Sequence, residues 1–270
     1  MKICAMTCCT VDLYPQKNRA FIGGNAVNFA MQCRKSSITE VSVLGPAGQD
    51  RYEVEIRRRL EAHQIDDSHF YRLPGKTASN RIYINEEGDR YFLPDSWDGG
   101  VYAKYCLSDE DWAYANSHHL VSMVTVDANF SAALKRLQTP VLLHADFLDT
   151  RNFDLLESNL DRIDIAFLSG DDEVVERAKS IARSRTAFIV VTLGASGSVA
   201  LRHDQVLYQP ALPVDNIVDT TGCGDAFQAA FVCSWYRHYN LQQALLSGSE
   251  AATGVIKHMG GFEGSQIDTL

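Results

Sequence analysis

Apolar residues along the chain form short continuous runs that alternate with stretches of helical three-and-four spacing. The runs predict strands buried on both faces, and the periodic stretches predict helices between them. The predicted strands cover residues 2–11, 41–44, 119–124, 141–145, 163–168 and 187–193. The predicted helices cover residues 27–35, 50–63, 128–137, 152–159, 171–184 and 241–257, with another beginning after Ser108. This alternation is typical of an α/β fold with a mostly parallel sheet.

The alternation is interrupted in the first third of the chain. Three strand-like stretches follow one another without a helix, at residues 68–73, 77–84 and 90–94. The residues between the last two, 85–89, have the composition of a turn and predict a β-hairpin. A second predicted hairpin covers residues 197–209. We expect one domain over residues 1–270, with a small β lid formed by about residues 13–22 and 68–95.

Composition limits the classes of partner. The chain has 270 residues, 46% of them hydrophobic, which is enough for one large core. Its formal net charge of −9 argues against nucleic acid or an anionic membrane as the main partner, because both require a basic face. The seven cysteines show no paired CxxC spacing, so we expect a reducing cytoplasm and no zinc site.

The most informative stretch is Asp219-Thr220-Thr221-Gly222-Cys223-Gly224-Asp225-Ala226-Phe227. Apolar residues with helical spacing follow it, which predicts that a glycine-rich turn leads into a buried helix. The first N–H groups of a helix have no partners within the helix and carry partial positive charge, so such a turn binds anions such as phosphate.

Asp225 is the main catalytic candidate. A carboxylate at a helix N-terminus is expected to stay ionised and to accept the proton of a substrate hydroxyl that attacks phosphorus. The amides of Gly222, Cys223 and Gly224 would face the phosphoryl oxygens, and the same helix position is expected to acidify the Cys223 thiol somewhat. The alternative is that Asp225 only stabilises its helix.

Two further groups of residues have binding chemistry. Gly24, Asn25 and Asn28 open a predicted helix, and Asp12 is expected at the end of the first strand, where parallel sheets bind ligands. Their carboxylate and amide groups suit the hydroxyls of a polyol. Thr192, Gly194 and Gly197 end a later strand and would bring backbone close to a nucleotide. The alternative is that these are ordinary turn and cap residues.

The sequence resembles the ribokinase (PfkB) family of carbohydrate kinases. Residues 219–227 resemble its C-terminal signature D-T-x-G-A-G-D-x-F, with cysteine in place of the usual alanine, and residues 23–28 resemble its N-terminal G-G-x-x-x-N. The resemblance spans nearly the whole chain. It implies a ribokinase-like three-layer α/β/α core with a β-sheet lid, and transfer of the ATP γ-phosphoryl group to a sugar hydroxyl.

The resemblance also implies roles for individual residues. Asp225 would be the base and the amides of residues 222–225 the anion hole. The sugar side would comprise Asp12, Gly24, Asn25, Asn28 and Arg90, and the nucleotide side Thr192, Gly194, Gly197 and Thr220. Mg²⁺ would arrive with ATP near Asp172, although the family's N-x-x-E is replaced here by residues 169–172. K⁺ would lie near Asp219, Thr221 and the turn at residues 260–261.

The acceptor and the assembly follow from the same resemblance. Residues 11–15 and 23–28 are most similar to those of family members that phosphorylate fructoselysine, an Amadori compound, at its 6-hydroxyl. The alternative acceptors are ribose, fructose, 2-keto-3-deoxygluconate and nucleosides. The alternative outside the enzymes is a regulatory protein of the same fold that binds sugar but does not turn it over. A homodimer paired through its lids is also expected.

Overall fold

The computed structural model describes residues 1–38, 40–183 and 187–267. Its helices are α1 Asn25–Lys35, α2 Arg51–Ala62, α3 Asp109–Asn116, α4 Phe130–Arg136, α5 Phe153–Asn159, α6 Asp172–Ala182, α7 Cys223–His238 and α8 Leu241–Val255. Within the described ranges, no helix is long and apolar enough to cross a membrane. The predicted end of α6 at residue 184 lies outside the described residues, as do residues 268–270 of the predicted domain.

A nine-stranded sheet forms the centre of the molecule, in the order β15-β14-β13-β12-β11-β10-β1-β4-β5. In chain order these strands are β1 Lys2–Met6, β4 Glu40–Gly48, β5 Phe70–Leu73, β10 Leu120–Val124, β11 Leu142–Asp146, β12 Ile165–Ser169, β13 Phe188–Thr192, β14 Ser198–Arg202 and β15 Gln205–Gln209. Every neighbouring pair from β13 to β5 is parallel, and only β14 and β15 run antiparallel. The predicted α/β class and the second hairpin are confirmed.

Helices cover both faces of this sheet. On β1, Ile3 and Ala5 belong to the core that contains α1, α7 and α8, whereas Cys4 and Met6 belong to the core that contains α3 to α6. This alternation follows from the strand geometry, in which successive side chains point to opposite faces. The three-layer prediction is therefore confirmed.

A second, five-stranded sheet has the order β16-β3-β2-β6-β9. Its strands are β2 Thr10–Tyr14, β3 Arg19–Gly23, β6 Ala78–Arg81, β9 Trp97–Asp98 and β16 Gln266–Ile267. The prediction of one strand over residues 2–11 is wrong, because the chain bends at Thr7, whose φ is +77°. The Thr7 N–H donates to Leu44 O at 2.7 Å, and the chain then leaves the large sheet for the small one. Asp12 therefore lies within the small sheet and not at the end of β1.

The lid boundaries differ from the expected ones. The stretch predicted at 68–73 forms β5, which pairs with β4 at the edge of the large sheet. The predicted hairpin with its turn at 85–89 is present as β7 Tyr83–Ile84 and β8 Arg90–Tyr91. Strands β9 and β16 were not predicted, since two-residue strands have no detectable alternation of polar and apolar positions.

Candidate active site

The glycine turn shapes the start of α7. Gly222 adopts φ +78°, and a Cβ there would lie 2.4 Å from Gly261 Cα, so the position requires glycine. Cys223 N–H donates to Thr220 O over a long 3.4 Å. Within the described chain, the N–H groups of Gly224 and Asp225 donate to no carbonyl. The helix start therefore presents two amides that can face an anion.

The Asp225 carboxylate is held by two amide side chains. Asn25 Nδ2 donates to Oδ1 at 2.8 Å, and Asn28 Nδ2 donates to Oδ2 at 2.8 Å. Burial raises the pKa of Asp225 above its ordinary value. The hydrogen bonds from Asn28 and Asn25 and the charge of Arg90 act in the opposite direction and lower it. Desolvation therefore outweighs the contacts that favour the charged form of Asp225. A raised pKa makes the carboxylate a stronger base when it is ionised.

The two asparagines stand in the first turn of α1, which packs against α7. Gly24 precedes them with φ +92°, and a Cβ there would lie 2.4 Å from Cys8 O. Gly23 is required for a different steric reason, because a Cβ at this position would lie 2.0 Å from Asp12 Oδ2. The glycine pair thus gives room to the helix start and to the Asp12 carboxylate.

Asp12 and Asp146 are buried carboxyl groups at the same site. The pKa of each is raised to about 7, mainly by burial; the negative charge of Asp225 contributes to the increase, and the Arg90 charge opposes it. Asp146 ends β11, accepts the Leu148 N–H at 2.8 Å, and has Oδ2 3.5 Å from Asn25 Nδ2. Sequence analysis missed Asp146, although an acid at the carboxyl end of a parallel strand was a usable signal.

Arg90 is the cation whose charge acts on all three carboxyl groups. It lies on β8, and its backbone N–H donates to Thr220 Oγ1 at 3.1 Å. Thr220 N–H donates to Gly88 O at 3.3 Å in the same hairpin. Thr220, expected on the nucleotide side, thus fastens the hairpin beside the glycine turn.

The Cys223 thiol is not acidified. Burial raises its pKa to about 12, and Sγ donates to Thr220 O at 2.9 Å. The expected acidification by the helix N-terminus is wrong for this thiol, because burial and two nearby carboxylates disfavour the thiolate.

The nucleotide-side residues lie at the ends of β12 and β13. Thr192 Oγ1 is 3.2 Å from Ser169 Oγ. Gly194 has φ +56°, and a Cβ there would meet nothing within 4 Å, which leaves its backbone open to a ligand. At Gly197 a Cβ would lie 2.2 Å from Gln209 O, so local packing alone explains that glycine.

The acids at the start of α6 have different partners. Asp171 caps the helix through Glu173 N–H at 3.1 Å and pairs with Arg151 at 2.6 Å. Glu173 also pairs with Arg151, at 3.3 Å. In the ranges described, Asp172 forms no hydrogen bond or ion pair, and no group of three metal-ligating side chains is present. A single free carboxylate fits Mg²⁺ that is otherwise held by nucleotide phosphates.

Asp219 and Thr221 are fully buried behind the glycine turn. Thr221 N–H donates to Asp219 Oδ1 at 2.9 Å, and the Tyr14 hydroxyl donates to Asp219 Oδ2 at 2.6 Å. The structure therefore joins both residues to the small sheet through Tyr14.

Comparison with known proteins identifies the family. The model of the pfkB family of carbohydrate kinases matches residues 9–268. The chain is 32% identical to the fructoselysine 6-kinase of Escherichia coli K12 over 256 residues, which cover 93% of this chain and 96% of that protein. It is 27% identical to a fructosamine kinase of Bacillus subtilis, with 97% and 93% covered.

Solved structures agree in fold. The nucleoside kinase of Methanocaldococcus jannaschii superposes with a TM-score of 0.75 at 20% identity, covering 96% of this chain and 93% of that one. The ribokinase of Thermotoga maritima gives a TM-score of 0.76 at 17% identity, covering 97% and 94%. The fold is therefore ribokinase-like. The family match covers nearly the whole chain, and the chain has the signature turn with a buried carboxyl group beside it. The chain therefore belongs to the pfkB family of carbohydrate kinases and is an ATP-dependent sugar kinase.

Proposed function

We propose that the kinase phosphorylates the 6-hydroxyl of a fructosamine, with fructoselysine as the first acceptor to test. The observation that carries the chemistry is the Asp225 carboxylate, buried at the start of α7 beside two unpartnered amides. The acceptor is supported by the similarity to fructoselysine 6-kinase over 96% of that protein.

In this proposal Asp225 accepts the proton of the acceptor hydroxyl. The hydroxyl oxygen then bonds to the γ-phosphorus as the bond from phosphorus to the β,γ-bridging oxygen breaks, and ADP leaves with that electron pair. The amides of Gly224 and Asp225 face the charge on the transferred group. Asn25 and Asn28 hold the carboxylate in place, and its proton passes to solvent after transfer. Bound Mg²⁺ neutralises charge on the phosphates.

The charge balance at the site supports an acceptor that carries an amine. Asp12, Asp146 and Asp225 are buried together, and Arg90 is the cation that lowers the pKa of all three. Fructosamines have an amine next to the ketose carbonyl, and an ammonium group stabilises nearby carboxylates. We assign Asp12, Gly24, Asn25, Asn28 and Arg90 to the acceptor side, together with Asp146.

We place ATP over the ends of β12 and β13, with Thr192 and Gly194 against the nucleotide and Asp172 facing Mg²⁺. Gly197 shapes this turn, and Thr220 contributes through the hairpin that it holds. The five-stranded sheet and the β7–β8 hairpin act as the lid of one domain. The free cysteines of the described chain support a cytoplasmic location.

We further propose a homodimer formed through this lid. Four large apolar side chains at residues 91–97 are between 41% and 47% exposed: Tyr91, Phe92, Leu93 and Trp97. Several exposed large apolar side chains within one short segment are typical of an interaction surface. Sedimentation should give a dimer for the wild type and for Val206→Asp, an exposed apolar control outside the lid, and a monomer for Leu93→Asp. A monomeric wild type would contradict the assembly.

The acceptor is tested by measuring ADP release with ATP and a panel of acceptors: fructoselysine, fructose, ribose, 2-keto-3-deoxygluconate and a nucleoside. The expected result is the highest kcat/KM with fructoselysine and a phosphate on its C6 hydroxyl. A higher value with another sugar would replace the acceptor but keep the kinase. Measurable ATP binding without turnover of any acceptor would indicate a regulatory protein.

A further inference from the structure

A row of side chains crosses the five-stranded sheet, starting from the buried carboxyl group of Asp12. In the register of this sheet, Asp12 on β2 is opposite Asn80 on β6, and Asn80 is opposite Trp97 on β9. Residues directly opposite one another on neighbouring strands have their side chains on the same face of a sheet. Because neighbouring strands are about 4.8 Å apart, the row covers about 10 Å from Asp12 to Trp97.

This row is on the face of the five-stranded sheet that is directed at the candidate active site. Tyr14 follows Asp12 by two residues on β2, so the two side chains point to the same side. The Tyr14 hydroxyl donates to Asp219 Oδ2 at 2.6 Å, in the segment that leads into the glycine turn. Asp12 itself is close enough to Asp225 for the charge of Asp225 to raise its pKa. The row therefore begins at the proposed acceptor side and ends at the edge strand β9.

The two outer members of the row have groups that can bind a ligand. Asn80 is half-buried, and within the described parts of the chain its carboxamide forms no hydrogen bond. The Trp97 side chain is 47% exposed, and its ring contacts the Tyr102 ring edge to face, with the centroids 5.9 Å apart. Burial raises the pKa of the Tyr102 phenol, and the charges of Cys8 and Asp127 add to the increase. Tyr102 thus connects Trp97 with the bend between β1 and β2.

A carboxamide followed by an indole, beside a buried carboxyl group, suits an acceptor that continues beyond its sugar. A carboxamide oxygen accepts a hydrogen bond from an ammonium group, and an indole ring attracts both cations and methylene groups. We infer that Asn80 and Trp97 bind the part of the acceptor that extends from the fructosamine nitrogen: the Asn80 carboxamide accepts a hydrogen bond from the nitrogen, and the Trp97 indole packs on the attached carbon chain. This inference rests on the fructosamine acceptor proposed above. The four-carbon chain of the lysine part of fructoselysine can extend along the row.

Asn80→Ala and Trp97→Ala test the two contacts with three acceptors that share the sugar: fructose, 1-amino-1-deoxyfructose and fructoselysine. Asn80→Ala should lower kcat/KM about tenfold for both amines, whereas Trp97→Ala should lower it about tenfold for fructoselysine alone. Both losses should arise through KM, because the contacts are made away from the reacting hydroxyl. The values for fructose should not change. A loss of equal size with all three acceptors, or no loss with fructoselysine, would overturn the inference.

Each variant has a matched control. Ser79→Ala changes the neighbouring residue on β6, whose side chain is on the opposite face of the sheet. Leu93→Ala shortens an exposed apolar side chain in the same lid segment as Trp97, and so controls for an effect through the dimer. Both controls should keep the wild-type preference for fructoselysine over fructose.

The wild type separates failure of this inference from failure of the proposed acceptor. If the wild type does not prefer fructoselysine to fructose, the proposed acceptor fails and the inference fails with it. If the wild type has this preference and Asn80→Ala and Trp97→Ala both keep it, the inference alone fails. The two variants test the row independently, so either one is decisive if the other does not fold.

Discussion

The proposed acceptor side and the proposed nucleotide side of the site are built differently. On the acceptor side, buried carboxyl groups are tied to amide side chains from another helix, as with Asp225 and Asn28. On the nucleotide side, Asp171 and Glu173 are exposed and pair with Arg151 at the surface. Ion pairs of this kind contribute little to stability. If Asp225 is the base, as proposed, the group receiving the proton is fixed before the substrate binds, whereas the proposed nucleotide side leaves the Gly194 backbone open for its ligand.

Gly222→Ala changes the anion-binding turn and should lower both stability and kcat. Its φ of +78° and the 2.4 Å approach to Gly261 Cα leave no room for a Cβ. We expect destabilisation of roughly 1–3 kcal/mol and a loss of kcat of about a hundredfold. Gly224→Ala is the matched control for stability, because its Cβ would meet only Gln228 Nε2 at 4.0 Å. Equal unfolding temperatures for the two variants would contradict the role of Gly222.

Arg90→Gln tests whether the lid cation controls the acceptor side. Its charge lowers the pKa values of Asp12, Asp146 and Asp225, so removing it should raise all three. Because protonated Asp225 is inactive as a base, the acid limb of the kcat/KM profile should move to higher pH, by up to about one unit. Arg81→Gln, on β6 of the five-stranded sheet, should leave the profile in place. Superimposable pH profiles for Arg90→Gln and the wild type would show that the Arg90 charge does not set the pKa of the catalytic group.

Asp146→Asn tests the cost of a buried negative charge at this position, which comes mainly from desolvation and partly from the nearby Asp225 charge. The pKa of Asp146 is about 7 in the folded protein against an ordinary 3.8, so the folded state binds the proton more tightly. The contribution of Asp146 to stability is therefore present below pH 3.8 and is lost as pH rises through about 7. Asp146→Asn should raise Tm more at pH 8 than at pH 5. The exposed control Asp149→Asn should change Tm equally at both pH values. Equal shifts for Asp146→Asn would contradict the cost of burying a charge there.

Asp172→Asn should have the smallest effect, on the nucleotide side. Since one carboxylate contributes only part of the coordination of Mg²⁺ bound with ATP, half-saturating Mg²⁺ should rise about threefold to tenfold with kcat kept. Asp154→Asn changes a first-turn acid of α5 and should leave the Mg²⁺ dependence unaltered. Identical Mg²⁺ curves for Asp172→Asn and the wild type would contradict the proposed contact of Asp172 with Mg²⁺.

The sequence predicted the parts of the site that depend on local pattern. Glycines 222 and 224 and the apolar spacing after them predicted the start of α7, and the same reasoning predicted α1. The position of Asp12 was wrong because residues 2–11 are almost uniformly apolar, and the bend at Thr7 depends on its φ of +77°, which apolar pattern does not reveal.

Contacts between distant parts of the chain could not be predicted. Tyr14 and Asp219 are 205 positions apart, and no spacing rule relates them. The raised pKa of Asp225 likewise depends on burial by several elements, which the helix-start pattern did not include. Family resemblance predicted which residues converge, and the structure was needed to show which of them contact one another.

The central claim is that Asp225 accepts the proton of the acceptor hydroxyl, and the kcat of Asp225→Asn tests it most directly. Asparagine keeps the size of the side chain but cannot accept the proton. We predict that kcat falls by at least about a hundredfold while ATP binding, measured by calorimetry on the same preparation, is largely kept. A variant with near-normal kcat would contradict the account.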